Sequence, residues 1–339
     1  MSAPDAAAYR PTLEEVARRA GVSRATASRV VNGSMKVDAD MRERVLQAVA
    51  ELGYVPNRAA RSLVTQRTDS YALVLTESAG QTFSDSTFFP TLVQGVSQEL
   101  DAAGKEMVLE VMNSQHSLDR IRRRLAAGHV DGALVASASG TDPLTRTLAR
   151  MGVPVVTNGR PNGTRPVPYV DVANVDGARL AVRRLLESGR QRVATIAGSQ
   201  RSAGGVDRLT GYRIEIKDRG RRPIEAVGDF TRESGAAGMA RLLAEDPRLD
   251  AVFVASDLMA NGALRTLRRS GRRVPDDVAV IGFDDTAMAW YADPALTTVH
   301  QPILDIGRTM ARQVLRLAAG EAVEPAVVLA AELVVRESA

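Results

Sequence analysis

The chain has 339 residues, 45% hydrophobic and 25% charged, with a formal net charge of +4 and no cysteine. That is the composition of an ordinary globular protein, long enough for two or three folding units. It excludes disulfides, thiol nucleophiles and Cys-ligated zinc or iron–sulfur sites. The charge is unevenly placed. Residues 1–67 carry 11 Lys and Arg against 7 Asp and Glu, so the whole excess lies there and the remainder is balanced at 33 each. A basic N-terminal region on a neutral body is what phosphate neutralisation asks for. The opening MSAPDAAAYRPTLEE lacks the apolar core of a signal peptide, and no apolar run reaches membrane-span length. A soluble cytoplasmic protein is expected, with residues 1–11 as a disordered leader.

Thr12 with Glu15 three residues on reads as a capping box. Leu13, Val16, Ala17 and Ala20 then recur at helical spacing. Gly21 ends this helix by taking a positive φ. Ser23 caps a second helix, Arg24 to Val31, with Ala27, Val30 and Val31 inward; Asn32-Gly33 closes it. Asp38 caps a third helix to about Leu52, with Val45, Val49 and Leu52 inside. Two short helices joined by a Gly turn, with a third in support, are a helix-turn-helix. Its second helix enters the major groove. Arg24, Ala25 and Arg29 would meet base edges there, and Arg suits the paired acceptors of guanine. Ser23, Thr26 and Ser28 would reach phosphates, with Thr12 and Asn32 at the same face.

The segment Tyr54-Val55-Pro56-Asn57-Arg58-Ala59-Ala60-Arg61-Ser62-Leu63 follows. With the block Ala20 to Gly33 (AGVSRATASRVVNG), it closely resembles the lactose-repressor/galactose-repressor family of bacterial transcription factors. The resemblance implies a hinge over 57–68 that becomes helical on operator DNA. A Leu wedged into the minor groove bends the duplex in that family. Here the wedge would be Leu63, supported by Asn57, Ala60 and Arg61.

From Tyr71 onward β-rich runs alternate with amphipathic stretches. Strands are expected at Tyr71–Thr76, Glu106–Met112, Asp131–Ala136, Val153–Thr157, Arg192–Ala197, Asp250–Ala255 and Val278–Phe283. Helices are expected at Phe89–Ala103, Leu118–Ala127, Pro143–Met151, Val175–Glu187, Arg208–Lys217, Ser234–Ala244, Leu258–Arg269 and Ile303–Ala318. The alternation predicts parallel sheets covered by helices, in two tandem units broken near Pro161–Pro168. Ligands bind such sheets at the carboxyl ends of their strands, here between two lobes.

The resemblance continues through DGALV (131–135), GVPVV (152–156), DRLTGYR (207–213), FVASDLMANGALRTLRRSG (253–271), VPDDVAVIGFDDT (274–286) and PALTTVHQP (294–302). It implies an α/β fold: a head over 12–56, then a periplasmic-binding-protein-like core over 69–339. The two doubly wound lobes would be about 69–170 with 301–328, and 171–298 with 329–339. It also implies effector contacts. Arg208 and Asp284 would bond sugar hydroxyls, and Phe230 would form an aromatic wall. Ser256, Gln301 and Arg160 would face the cleft, with Ile303 on the returning segment. Phe83, Phe88 and Phe89 read either as a stacking platform for a saccharide or as local packing. Trp290 would add to the rim.

The implied partners are pseudo-palindromic operator DNA, a mono- or oligosaccharide effector (a β-glucoside or cello-oligosaccharide is our reading) and a second copy of the chain. No cofactor, metal or membrane is implied. The chain closes on ELVVRESA without a Leu heptad, so a dimer is expected rather than a tetramer. His116, His129 and His300 are scattered, and no nucleophile elbow, metal-ligand spacing or phosphate loop accompanies them. A repressor is therefore expected over an enzyme, with a sugar-binding protein lacking a transcriptional role as the alternative.

Overall fold

The computed structural model describes residues 11–32, 36–55, 67–75, 87–112, 114–136, 143–161 and 167–339. The chain forms two compact units, Met1–Thr68 and Asp69–Ala339. Asn57, Ala60, Arg61 and Leu63, with Phe83, lie outside the described residues.

The head is three helices: α1 (Leu13–Ala20), α2 (Arg24–Val31) and α3 (Ala39–Leu52). The expected local signals set their ends. Thr12 and Glu15 bond each other's backbone N–H in a full capping box. Gly21 ends α1 at φ +64°. Ser23 Oγ accepts from Thr26 N at 3.1 Å, and Asp38 Oδ1 accepts from Asp40 N and Met41 N. Val16, Ala17, Ala20, Ala27, Val30, Val45 and Ala48 make the small core, with Val49 and Leu52 at its margin.

The larger unit alternates strand and helix: β1 (Ser70–Leu75), α4 (Phe88–Ala102), β2 (Glu106–Val111), α5 (Gln115–Ala126), β3 (Gly132–Ala136), α6 (Pro143–Arg150), β4 (Val155–Asn158) and β5 (Tyr169–Val172). It goes on through α7 (Asn174–Glu187), β6 (Val193–Ala197), α8 (Ala203–Asp218), β7 (Glu225–Val227), α9 (Arg232–Glu245), β8 (Ala251–Val254), α10 (Asp257–Arg269), β9 (Ala279–Asp284), α11 (Ala287–Tyr291) and β10 (Thr297–His300). The chain ends with α12 (Ile303–Ala318), β11 (Ala326–Leu329) and β12 (Glu332–Val334).

One sheet runs β11-β5-β4-β3-β1-β2, all parallel; the other runs β12-β10-β9-β8-β6-β7, parallel except for β12 against β10. Every residue of β1, β3, β6, β8 and β9 is buried, as parallel strands covered on both faces must be. The chain changes sheet three times: between Val172 and Asn174, between His300 and Ile303, and between Leu329 and Glu332. The first change falls later than the Pro161–Pro168 break read from sequence. Tyr169–Val172 is a short buried strand that still belongs to the first sheet.

One apolar layer runs through both lobes. It joins Leu73, Leu75, Leu92 and Leu134 of the first to Tyr212, Phe253 and Phe283 of the second. In the first lobe α4 crosses α12 where both helices carry glycine. A Cβ on Gly95 would stand 2.2 Å from the Leu304 carbonyl oxygen, and one on Gly307 2.4 Å from that of Leu92. Backbone against backbone leaves no room to give.

Candidate functional site

Two regions carry the predicted site residues. On the head, Arg24, Ala25 and Arg29 are exposed on α2, and Thr26 and Ser28 are half-exposed. Thr12 and Ser23 are exposed but spend their side-chain oxygens on the caps of α1 and α2. Asn32 Nδ2 donates to Ser28 Oγ at 3.3 Å. Arg24 Nε meets Glu14 Oε1 at 3.0 Å, but the side chains are 70% and 63% exposed. An ion pair so open to water is worth little, and the guanidinium is available for exchange onto a base or phosphate. A helix that presents Arg, Ala, Thr, Ser and Arg along one exposed face, with its start fixed by a cap, can read the major groove.

In the core, four of the predicted effector residues converge at the carboxyl ends of the second sheet. Arg208 lies on α8, Asp284 ends β9, Gln301 follows β10 and Ser256 precedes α10. All four are buried. Arg208 Nη1 donates to Asp284 Oδ1 at 3.2 Å and to the Ala255 carbonyl at 2.6 Å. Gln301 Nε2 donates to the same Asp284 oxygen at 2.6 Å. The guanidinium stacks on the Phe283 ring, 3.6 Å from its centroid. Burial pushes the Arg208 pKa down, and the neighbouring Asp284 and Asp171 oppose the shift.

Asp284 takes φ +119° and Asp285 φ +58°, conformations that non-glycine residues seldom hold. This twist separates two adjacent carboxylates. Asp284 faces Arg208 and Gln301, while Asp285 bonds Arg336 at 2.6 Å and His300 at 3.0 Å.

Three participants were not read from the sequence. Asn174 Oδ1 accepts from Arg208 Nε at 2.8 Å, and its amide donates to Asp171 Oδ1 at 2.9 Å. Asp257 accepts from Thr298 Oγ1 at 2.6 Å and from Thr286 N at 2.8 Å. Burial pushes Asp257 well above the usual carboxylate range, and the nearby Asp284 charge adds to the shift. Burial also raises Asp284, against the pull of Arg208, and raises Asp171. The run Asp171–Asn174–Arg208–Asp284–Gln301 therefore joins two of the chain's passages between the sheets. The only signal for Asn174 and Asp171 in the sequence is their place around a helix start, which many residues share.

The remaining predicted contacts divide. Phe230 holds φ +70° and lays its ring on Gly198, where a Cβ would come within 2.2 Å of it. Ser256 Oγ caps α10 by accepting from Met259 N at 3.3 Å. Arg160 bonds Asp207 at 2.8 Å, beside the cluster rather than in it. Ile303 is buried in the apolar layer. Phe89 corrects the stacking-platform reading: it is only 8% exposed, in the core of the first lobe, edge-on to Phe88 with centroids 5.2 Å apart. Packing accounts for its position. Trp290 is 65% exposed, with Arg336 over its ring at 4.3 Å.

Such a cluster offers paired donors and acceptors to paired hydroxyls, and an aromatic ring beside them suits the apolar face of a sugar. Among the described residues no group of His, Asp and Glu is placed to hold a metal ion, and no helix is long and apolar enough to cross a membrane.

Comparison with known proteins agrees on both regions. Residues 12–57 match the family described as bacterial regulatory proteins, lacI family, and residues 182–339 match a periplasmic binding protein-like domain. The chain is 49% identical over 335 residues to the HTH-type transcriptional regulator CelR of Thermobifida fusca, covering 97% of this chain and 98% of that one. It is 30% identical over 324 residues to catabolite control protein A of Priestia megaterium, covering 94% and 95%. Among solved structures, a transcriptional regulator CelR–cellobiose complex is 47% identical, with TM-score 0.77 and coverage of 97% of this chain and 100% of that one. A lac repressor dimer bound to operator and an anti-inducer has TM-score 0.84 at 30% identity, covering 97% and 99%.

Proposed function

The chain belongs to the lacI family of bacterial regulatory proteins, and we propose that the effector it answers to is a β-linked glucose disaccharide of the cellobiose kind. It is a sequence-specific DNA-binding regulator of transcription whose hold on its operator is set by a small molecule in the core. As a homodimer it places one head on each half-site of a pseudo-palindromic operator. The effector acts through its different affinity for two arrangements of the lobes. We assign repression to the operator-bound dimer.

One observation carries the sugar reading: the buried group of Arg208, Asp284, Asn174 and Gln301 sits at strand ends between the two lobes. The relative solved with cellobiose supports the choice of sugar, because the likeness spans nearly the whole chain. Arg208, Phe230, Ser256, Asp284 and Gln301 are the residues we assign to the effector. Arg24, Ala25, Thr26, Ser28 and Arg29 are those we assign to DNA, with the hinge of Asn57, Ala60, Arg61 and Leu63 in the minor groove. The domain plan we adopt keeps 57–68 as that hinge. The protein acts by binding, not turnover, in the cytoplasm where its operator lies.

A thermal-shift series on the full chain with cellobiose, lactose, maltose and glucose tests this. A ligand at about 100 times its Kd adds about 2.7 kcal/mol to stability. Cellobiose is expected to raise the Tm most and to change retention of a DNA fragment from upstream of the chain's own gene. Equal shifts with maltose and cellobiose, or none with either, would overturn the choice of sugar. Cellobiose is expected to be recovered intact after incubation.

A further inference from the structure

Beside the buried cluster, one charged contact joins the two lobes. Arg160 follows β4 in the first sheet, and Asp207 lies on α8, which packs on the second. Arg160 Nη2 donates to Asp207 Oδ1 at 2.8 Å. Consecutive side chains on a helix diverge by about 100°. One turn of α8 therefore sends Arg208 inward to Asp284 and its neighbour Asp207 toward the opposite lobe. Gly159, just before Arg160, takes φ +77° and turns the chain there. Asp171, the carboxylate that holds Asn174 at the first passage between the sheets, lies beside this turn: a Cβ on Gly159 would stand 4.0 Å from its Oδ2.

Any separation of the lobes pulls Arg160 away from Asp207, since each partner is rooted in a different sheet. The Asp207 side chain is 18% exposed and that of Arg160 53%, so the pair is half-sheltered and its worth is modest. We propose that Arg160 and Asp207 are positioning residues that form a latch: the pair favours the closed arrangement and so raises affinity for an effector that binds that arrangement. A ligand's apparent affinity scales with the populated fraction of the state it binds. This inference rests on the cleft being the effector site, and it assigns Arg160 to closure where the sequence assigned it to the sugar.

The test is a double-mutant cycle on the full-length dimer with Asp207→Asn, Arg160→Gln and both, titrated with cellobiose at low and high salt. Each single variant is expected to weaken binding about two- to fivefold, and the double variant no further. High salt should weaken the parent and leave the variants nearly unchanged. A second reading needs no sugar. The chain has no cysteine, so Arg122→Cys and Arg269→Cys place one dye on each lobe. Labelled chain diluted into unlabelled chain gives dimers with one labelled copy. The sugar-free distance between dyes is expected to lengthen in both latch variants. Losses that multiply in the double variant, an Arg160→Gln loss far above that of Asp207→Asn, or an unchanged distance would each overturn the latch. If the parent binds no cellobiose, the effector reading fails, and the distance still decides the latch.

Discussion

In the head, the polar side chains assigned to DNA stand in water; in the core, those assigned to the sugar are buried and tied to one another. Arg24 and Arg29 are exposed, and even the Arg24 pair with Glu14 is open on both sides. Arg208 is 7% exposed and Asp284 8%, and each has two or more partners within the protein. The reason lies in the partner each surface serves. A duplex brings its own charge and is met at the surface, so the head needs only a rigid helix to present its residues. A neutral sugar brings no charge, and its hydroxyls are distinguished from water where water is excluded. The apolar cores differ to match: the head packs valines and alanines, while the larger unit packs leucines, phenylalanines and two tyrosines as well.

The sharpest way to break the comparison is to damage each core separately. Gly95→Leu drives a side chain into the Leu304 carbonyl, and neither helix backbone can retreat without the other. A loss of about 3 kcal/mol or more is expected, at the upper end for overpacking. Sugar binding should go with it, while the head's helical signal survives. Calorimetry of the full chain checks both. Val45→Ala is the reverse experiment. Val45 is fully buried in a three-helix core with few large side chains. Removing two carbons there is expected to cost about 2 kcal/mol, a large share for so small a unit. Operator retention should fall severely while the thermal shift with cellobiose stays intact. If both functions fell together, the two units would not be energetically separate.

At the DNA surface, Arg24→Ala is expected to lose about 1–3 kcal/mol of discrimination at one base pair. Ser23→Ala removes the acceptor for Thr26 N and should cost about 1 kcal/mol of head stability, weakening all sequences alike. Competition binding against single-base operator variants separates the two.

The same contrast explains what was legible in the sequence. The head could be read nearly to the residue because its information is local: a cap at Thr12, a turn at Gly21, a cap at Ser23, a cap at Asp38. The alternating elements of the core were also legible, since strands buried on both faces are near-continuous apolar runs. Short strands were not. Glu225–Val227 and Glu332–Val334 have three residues each, too few for a period to show. Arg208 and Asp284 were reached by resemblance, but Asn174 and Asp257 were not. Asn174 matters because Arg208, 34 residues later, turns its Nε toward it. Asp257 lies just ahead of the helix expected from Leu258, and only the stacking of β9, β10 and α10 shows it buried against Thr298. Phe89 misled for the opposite reason. Near Phe83 and Phe88 in sequence it reads as platform or as packing, and only its helix laid on the sheet shows it buried.

The one expected effect that depends on pH belongs to the core alone. Asp257 is raised well above its ordinary value of 3.8, first by burial and then by the charge of Asp284. Between that value and the raised one, the folded chain holds a proton that the unfolded chain releases. Stability from this group is therefore full below about pH 4 and declines as the pH rises through the raised value. Lowered acids such as Glu215, paired with Arg179 and Arg183, give the opposite slope as the pH falls. A raw pH profile mixes the two, and a difference between variants isolates the first. Asp257→Asn keeps the shape of the protonated carboxyl. Its amide oxygen can still accept from Thr286 N, and its NH2 can donate to Thr298 Oγ1, as a protonated Asp257 would. Relative to the parent, the variant should gain stability steadily from about pH 4 toward neutrality, measured by denaturant unfolding of the core transition. A constant difference across that range would mean that Asp257 is ionised in the fold. Asp257 would then be a buried charge, and the contrast between the regions would reduce to burial alone.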